Sequence, residues 1–353
     1  MRRADDRALK ADRPERPAAT VSPLRRIAIV GAGPMGLSLA AITSGHVPTV
    51  LVSRDPARAR RLRASGIALE GLLSARGRPD VVGSIDDLAD IHPIDLVFIA
   101  TKTTAIPEVC KALRPHLGDL PYLVSYQNGI EPGRTIMAAV GTPRVVRMIL
   151  RYGVVLADPD DSGEATGPLR VRAALHDPPH FVGGEGEAHA FARELAGLMS
   201  GMGLPMRYCD DIDGEAWRKG IENAAGNPVA ALVQAPLGEL LASPAASLIE
   251  RLLDEGIAVA RAAGIAIEPS FRDSVLRTMA AGGGHLPSMA QDVRAGRTTE
   301  ITQLNEQIVR RGRALGVATP THEAVLALIG AFDWRAAQRA GPDGGGTGGE
   351  ASR

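Results

Sequence analysis

The run Arg26-Ile27-Ala28-Ile29-Val30-Gly31-Ala32-Gly33-Pro34-Met35-Gly36 decides how the rest of the chain is read. Residues 26–30 are a short, continuous apolar run of the kind that forms a strand buried on both faces. Three glycines then turn the chain into an apolar helical pattern that lasts to about Thr43. A second strand is expected at 49–52. Asp55 and Pro56 supply an N-cap and a first-turn proline for a helix through Arg63. Residues 95–100 and 122–125 read as further strands, with a helix at 106–113 between them. Strand and helix alternating over short connections predict a parallel, doubly wound sheet. From 145 to 182 the strands shorten and are broken by Pro, Gly and Asp, which predicts hairpins closing this first unit.

Beyond about Asp211 the pattern becomes helical, at 215–233, 245–263, 288–295, 299–315 and 321–328, and nothing there reads as a strand. The expected fold is therefore α/β, an N-terminal Rossmann-type doubly wound sheet followed by an all-α C-terminal domain. The units expected are a disordered tail (1–24), a dinucleotide-binding domain (25–208), a helical substrate and catalytic domain (209–336) and a Gly-rich tail (337–353). A chain of 353 residues accommodates two such domains. The cleft between them is the default place for a site.

Forty basic residues balance forty acidic ones. That excludes a general nucleic-acid or membrane-surface binder, which needs a basic excess. No run approaches the ~18 apolar residues of a membrane span. The first 20 residues mix acids with bases and have no apolar segment, unlike a targeting peptide. Cys110 and Cys209 are too few and too isolated for a disulfide framework or a zinc site, so no metal and a reducing, cytoplasmic setting are expected. The only lysines are Lys10, Lys102, Lys111 and Lys219, against 36 arginines. In a chain whose generic positive charge is Arg, a lysine is a candidate for a place where an ammonium is wanted, the alternative being that these four are chance survivors.

Gly31-Ala-Gly33-Pro34-Met35-Gly36 follows a strand and opens a helix, which is the context a GxGxxG turn needs to bind a dinucleotide. The first glycine allows the turn, the second lets backbone approach a pyrophosphate, and the third lets helix pack on strand. An NAD site usually ends its second strand with an acid. Here that strand ends Val52-Ser53-Arg54, and a hydroxyl with a guanidinium suits the 2′-phosphate of NADPH. Asp55 is accounted for as the helix N-cap, and Arg58 could assist from the first turn.

Lys219, Asn223 and Asn227 recur every four residues, on one face of a helix. One cation and two amides make a poor packing surface, because Asn is a weak helix former with costly polar atoms. A solvated face is the bland account of this stripe. The functional account is an acid and amides arranged around a carbonyl.

These pieces together resemble the ketopantoate reductase family, which reduces 2-dehydropantoate to pantoate with NADPH in pantothenate synthesis. GAGPMG at Gly31, ATK ending at Lys102, QNG at Gln127, WRKGIENAAGNP at Trp217 and PSMAQDVRAGRTTEI at Pro287 stand in the family's order, from about Arg26 to Phe332. The resemblance implies that Lys219 is the catalytic general acid, since an ammonium can stabilise the oxyanion of keto reduction and deliver its proton. It implies that Glu300 orients Lys219 or accepts a substrate hydroxyl. Asn223, Asn227 and Ser288 match residues that contact substrate, and Lys102 and Asn128 match cofactor-side residues at the carboxyl edge of the sheet. Where the family often has a substrate-contacting asparagine, this chain has His285. Residues after Tyr152, with the Asp-rich turn at 158–161, carry no family motif. The partner implied is a small 2-keto acid, and helical second domains often pair, which leaves a homodimer open. Two alternatives stand beside this reading: a reductase or dehydrogenase of another branched 2-keto or 2-hydroxy acid, and an inactive nucleotide-binding sensor.

Overall fold

The computed structural model describes residues 24–340 except 118–120, 131, 158–166, 185, 283 and 285. His285, the turn at 158–161 and most of both expected tails lie outside the described residues. The first domain runs β1 (Ile27–Val30), α1 (Pro34–Thr43), β2 (Thr49–Val52), α2 (Pro56–Ser65), β3 (Ile67–Gly71), β4 (Ala75–Gly77), β5 (Asp80–Val82), β6 (Leu96–Ile99), α3 (Ile106–Leu113) and β7 (Tyr122–Ser125). It continues through α4 (Pro132–Val140), β8 (Val145–Ile149), β9 (Tyr152–Leu156), β10 (Leu169–His176), β11 (His180–Gly184), α5 (Glu187–Gly201) and β12 (Met206–Tyr208). Asp55 caps α2 as its sequence predicts, accepting from the amides of Ala57 and Arg58 at 2.9 and 3.2 Å.

The main sheet has the order β12-β11-β8-β7-β6-β1-β2-β5. β1 pairs in parallel with β2 on one side and with β6 on the other, and β6, β7 and β8 continue in parallel. The strand order reverses between β1 and β6, which is where an open α/β sheet leaves a crevice for a ligand. The segment 145–182 corrects the expectation of closing hairpins. β8 is a parallel strand of the main sheet, and β11 is antiparallel to it. Among the described residues of this segment, β9 and β10 alone pair as consecutive antiparallel strands, and β10 also pairs in parallel with β3 to make a second sheet, β4-β3-β10-β9. Short strands show their period but not the edge they join, and β4 and β5 are three residues each.

The second sheet explains why α1 has no polar face. Residues 36–43 of α1 are all buried, with Leu37, Leu39 and Ile42 packed among Ile27 and Ile29 of β1, Ile67 and Leu69 of β3, and Val171 of β10. A helix covered on all sides needs an apolar stripe on all sides. The opposite face of the main sheet packs Val30, Val52 and Ile99 against Ile106 and Leu113 of α3 and Ile136 of α4.

The second domain comprises α6 (Ile212–Val233), α7 (Leu237–Leu241), α8 (Ala246–Ala262), α9 (Phe271–Ala281), α10 (Ser288–Arg294), α11 (Asn305–Leu315) and α12 (Pro320–Ala340). The helix expected at 299–315 is broken: a 3-10 turn, Ile301–Gln303, precedes α11, and Leu304 between them has non-helical φ and ψ of −115° and −87°. α12 runs to Ala340, past residue 336, where the helical domain was expected to end. α6 is the central helix, burying Ile221, Ala224, Ala225 and Val229 against Ile249 and Leu253 of α8, Met289 of α10, Ile308 of α11 and Ile329 of α12. Pro228 sits inside α6 and has no amide to give to Ala224 four residues back. The side-chain amide of buried Asn305 donates to that carbonyl instead, at 2.9 Å. The Asn-Pro pair is thus tolerated inside the helix without leaving an orphaned carbonyl.

Candidate active site

The glycine turn lies between β1 and α1, at the switch point. A Cβ on Gly36 would fall 1.9 Å from the Gly31 carbonyl oxygen, and one on Gly31 would fall 2.8 Å from that of Ala100. These two glycines are required by close packing. Gly33 differs, because nothing lies within 4 Å of where its Cβ would be. Gly33 is also the N-cap of α1, no side chain caps that end, and Pro34 follows. Open space before an uncapped helix N-terminus fits a dinucleotide's pyrophosphate, through free amides and the positive end of the helix dipole. Met35 is partly buried against the core, and its carbonyl is bonded by the Ser38 hydroxyl.

At the end of β2, Ser53 is 2% exposed, and its hydroxyl has no hydrogen-bond partner among the described residues. An orphaned buried hydroxyl at this strand end is a donor waiting for a ligand. Arg54 beside it is exposed. Arg58 reaches back from α2 and donates to the Ala32 carbonyl at 2.9 Å, tying α2 to the glycine turn. The chain therefore carries a backbone cradle at the glycine turn and, at the end of β2, a buried free hydroxyl beside an exposed arginine.

The second half of the site is made of side chains. Lys219, Asn223 and Asn227 stand on successive turns of α6; Lys219 and Asn223 are half-buried and Asn227 is 7% exposed. Lys219 Nζ is 3.4 Å from Glu222 Oε2. Asn223 Nδ2 donates to Asn128 Oδ1 at 3.2 Å, and Asn128 Nδ2 donates to Glu300 Oε2 at 3.4 Å. One hydrogen-bonded path thus joins α6, the loop after β7 and the residue before the 3-10 turn. Burial raises the Glu300 carboxyl above its ordinary range, opposed by Asn128, Lys102 and Thr103. Gly129 adopts a φ of +114°, and a Cβ there would lie 3.0 Å from the Gln303 carbonyl oxygen. That close backbone approach brings Asn128 and Glu300 within reach of each other.

Lys102 follows β6 at the carboxyl edge of the sheet. Its Nζ lies 3.1 Å from Asp292 Oδ2 of α10 and 2.9 Å from the Thr298 carbonyl, so it bridges the two domains. Asp292 is 9% exposed and also accepts from Arg297. Ser288 is the first residue of α10 and is exposed, and it takes no part in the path through Asn128.

Several supporting residues have no motif of their own. Arg147 of β8 is buried and donates to the Ser125 hydroxyl and to the carbonyls of Gln127 and Gly129, at 3.0, 2.7 and 3.1 Å. Burial lowers its pKa to about 9, although nearby Asp213 favours its charge. Gln127 donates to the Ile99 carbonyl and accepts from Ser125 at 3.1 Å. Together they fix the loop that presents Asn128. Arg147 is one arginine among 36 and cannot be singled out in the sequence. Thr103, Glu222 and Asp292 lie inside or beside recognised motifs, but no spacing argument marks them.

Two family models match this chain: "Ketopantoate reductase PanE/ApbA" over residues 27–170 and "Ketopantoate reductase PanE/ApbA C terminal" over residues 211–333. The chain belongs to the ketopantoate reductase family. It is accordingly an oxidoreductase of the family whose reaction is ketopantoate reduction. The 2-dehydropantoate 2-reductase of Caulobacter vibrioides is 32% identical over 312 residues, covering 86% of this chain and 98% of the relative. A PanE/ApbA family ketopantoate reductase from Ralstonia eutropha JMP134 superposes with a TM-score of 0.77 at 25% identity, covering 88% of this chain and 99% of that one. The fold is shared more widely. A ternary structure of D-mandelate dehydrogenase with NADH and anilino(oxo)acetate has a TM-score of 0.75 at 21% identity, covering 88% and 99%. No helix among the described residues is long and apolar enough to cross a membrane.

Proposed function

We propose that this family member reduces 2-dehydropantoate to pantoate with NADPH and that Lys219 is the general acid. The carrying observation is the hydrogen-bonded path Asn223–Asn128–Glu300, which sets the Lys219 face of α6 opposite the carboxyl ends of β6 and β7. The reduced nicotinamide, when bound, supplies hydride. The chain's own residues hold the keto acid, stabilise the oxygen as it becomes negative and give it a proton.

Lys219 suits that last task. Its ammonium is half-buried, where a charge acts more strongly than in water. A guanidinium is a far poorer proton donor at neutral pH. Asn223 and Asn227 offer amides to the carbonyl and hydroxyl side of the substrate, and Ser288 offers a hydroxyl to its carboxylate. Glu300 orients the amides and accepts a substrate hydroxyl. Lys102 and Asn128 serve the cofactor side, where Gly31, Gly33, Pro34, Met35 and Gly36 form the cradle. Ser53 and Arg54 favour the 2′-phosphate, hence NADPH over NADH.

Steady-state assay of the purified chain with 2-dehydropantoate and either nucleotide tests this reading. Turnover with NADPH at a kcat/KM well above that with NADH is the expected result. A second reading, reduction of a different branched 2-keto acid, is favoured by His285 in place of the family's asparagine. A panel of keto acids in the same assay separates the two. Absence of turnover on the whole panel contradicts both and leaves a nucleotide-binding sensor.

A further inference from the structure

We propose that Thr103 is a positioning residue for this reaction, its hydroxyl closing a ring with Glu300 and Asn128 that holds the carboxyl in one orientation toward the α6 face. The inference rests on the reductase reading for its kinetic consequence, and on geometry for the ring itself.

Thr103 opens the short 3-10 turn that follows Lys102 and is 5% exposed. Its Oγ1 lies 3.3 Å from Glu300 Oε1 and 3.3 Å from the Asn128 carbonyl oxygen. A hydroxyl has one proton and so donates to one of these at a time, while its lone pairs can still accept. With Glu300 ionised, Thr103 donates to Oε1 and Asn128 Nδ2 donates to Oε2, so both carboxylate oxygens are held. With Glu300 protonated, the carboxyl donates to Thr103 Oγ1, and Thr103 turns its own proton to the Asn128 carbonyl. Both protonation states are satisfied with no heavy atom displaced. A buried carboxyl without such partners would be costly in either state.

The orientation is passed on to the substrate face. Asn128 Oδ1 accepts from Asn223 Nδ2, which leaves the Asn128 amide nitrogen for Glu300 and fixes which way that side chain points. The charged group acting on Glu300 is Lys102 of the same turn, itself tied to Asp292 of α10. Asn128 and Asn223 are neutral, and Lys219 stands one turn before Asn223. The β-branched threonine adds rotamer stiffness to the ring. Valine keeps the shape of threonine and removes both hydrogen bonds, whereas serine keeps them.

The test compares Thr103→Val with Thr103→Ser in two measurements. In the reductase assay, Thr103→Val should lose about ten- to a hundredfold in kcat, with the Kd for NADPH changed by less than about twofold, and Thr103→Ser should recover most of the loss. In thermal melts without substrate, the Tm losses of Thr103→Val and Glu300→Met should be less than additive in the double variant, because both remove the same bond, methionine having no group to replace the carboxyl in it. An unchanged kcat in Thr103→Val overturns the proposal, as does a serine variant as slow as the valine one. Additive Tm losses overturn the ring itself. If the wild type reduces no 2-keto acid, the reductase reading fails, and the melts alone decide whether the ring exists.

Discussion

The two halves of the site are built by different means. On the sheet side, the cradle is backbone: Gly31 and Gly36 are glycines because main chain crowds them, and Gly33 is a glycine facing open space. On the helical side, the candidate groups are side chains that touch partners 95 and 172 positions away, Asn223 on Asn128 and Asn128 on Glu300. A backbone site is written in consecutive residues and tolerates almost any side-chain environment. A side-chain site exists only once two domains have folded against each other. Damage to the first should remove cofactor binding, and damage to the second should spare binding and remove chemistry.

The sharpest way to break this contrast is Lys219→Ala. Loss of the proposed proton donor should lower kcat by about a thousandfold or more, with NADPH affinity within about twofold. Stopped-flow turnover and fluorescence titration on the same preparation check it. A parallel loss of affinity would erase the distinction between the halves.

Within the cradle, Gly36→Ala and Gly33→Ala should separate. A Cβ on Gly36 meets the Gly31 oxygen, so that variant should lose stability by roughly 2 kcal/mol or more and with it nucleotide binding. Gly33→Ala should melt within about a degree of wild type yet bind NADPH more weakly, since no protein atom lies within 4 Å of the added Cβ. Equal melting temperatures would contradict the packing account.

Each domain also buries one neutral histidine, His180 in the first and His322 in the second, each 0% exposed and each pushed down by burial to about 4. The unfolded chain titrates near 6.5. Stability is therefore full above that value and falls as pH drops from about 6.5 toward 4, by up to about 3 kcal/mol per site. Urea midpoints measured from pH 7 to pH 4 should fall less steeply for His322→Gln than for wild type. An identical slope would remove His322 from the account.

The smallest expected effect is at the cofactor's edge. Arg54→Ala should weaken NADPH about tenfold, near 1.4 kcal/mol, and leave NADH unchanged. An equal change in both would show that exposed Arg54 is merely solvated.

The fold was largely legible because its decisive signals are local. β2 and β7 stand at 49–52 and 122–125 as their residue patterns predict, and Asp55 caps α2. The second sheet was not legible, since β4 is the tripeptide Ala-Arg-Gly and pairs with β3 only through tertiary contact. The break at Leu304 was hidden because a helical period carries across it, while Thr299 is held by Asp333 from α12. In the candidate site, the face of Lys219, Asn223 and Asn227 was marked by a four-residue spacing and a rare lysine. Thr103, Asp292 and Arg147 were not, because each matters through a partner far along the chain.

Transfer of deuterium from NADPH labelled on the reactive face of its nicotinamide tests the central claim most directly. The account predicts one deuterium at carbon 2 of the hydroxy acid product, with solvent protons confined to its hydroxyl. Product carrying solvent hydrogen at carbon 2, or no product at all from labelled NADPH and 2-dehydropantoate, would contradict it.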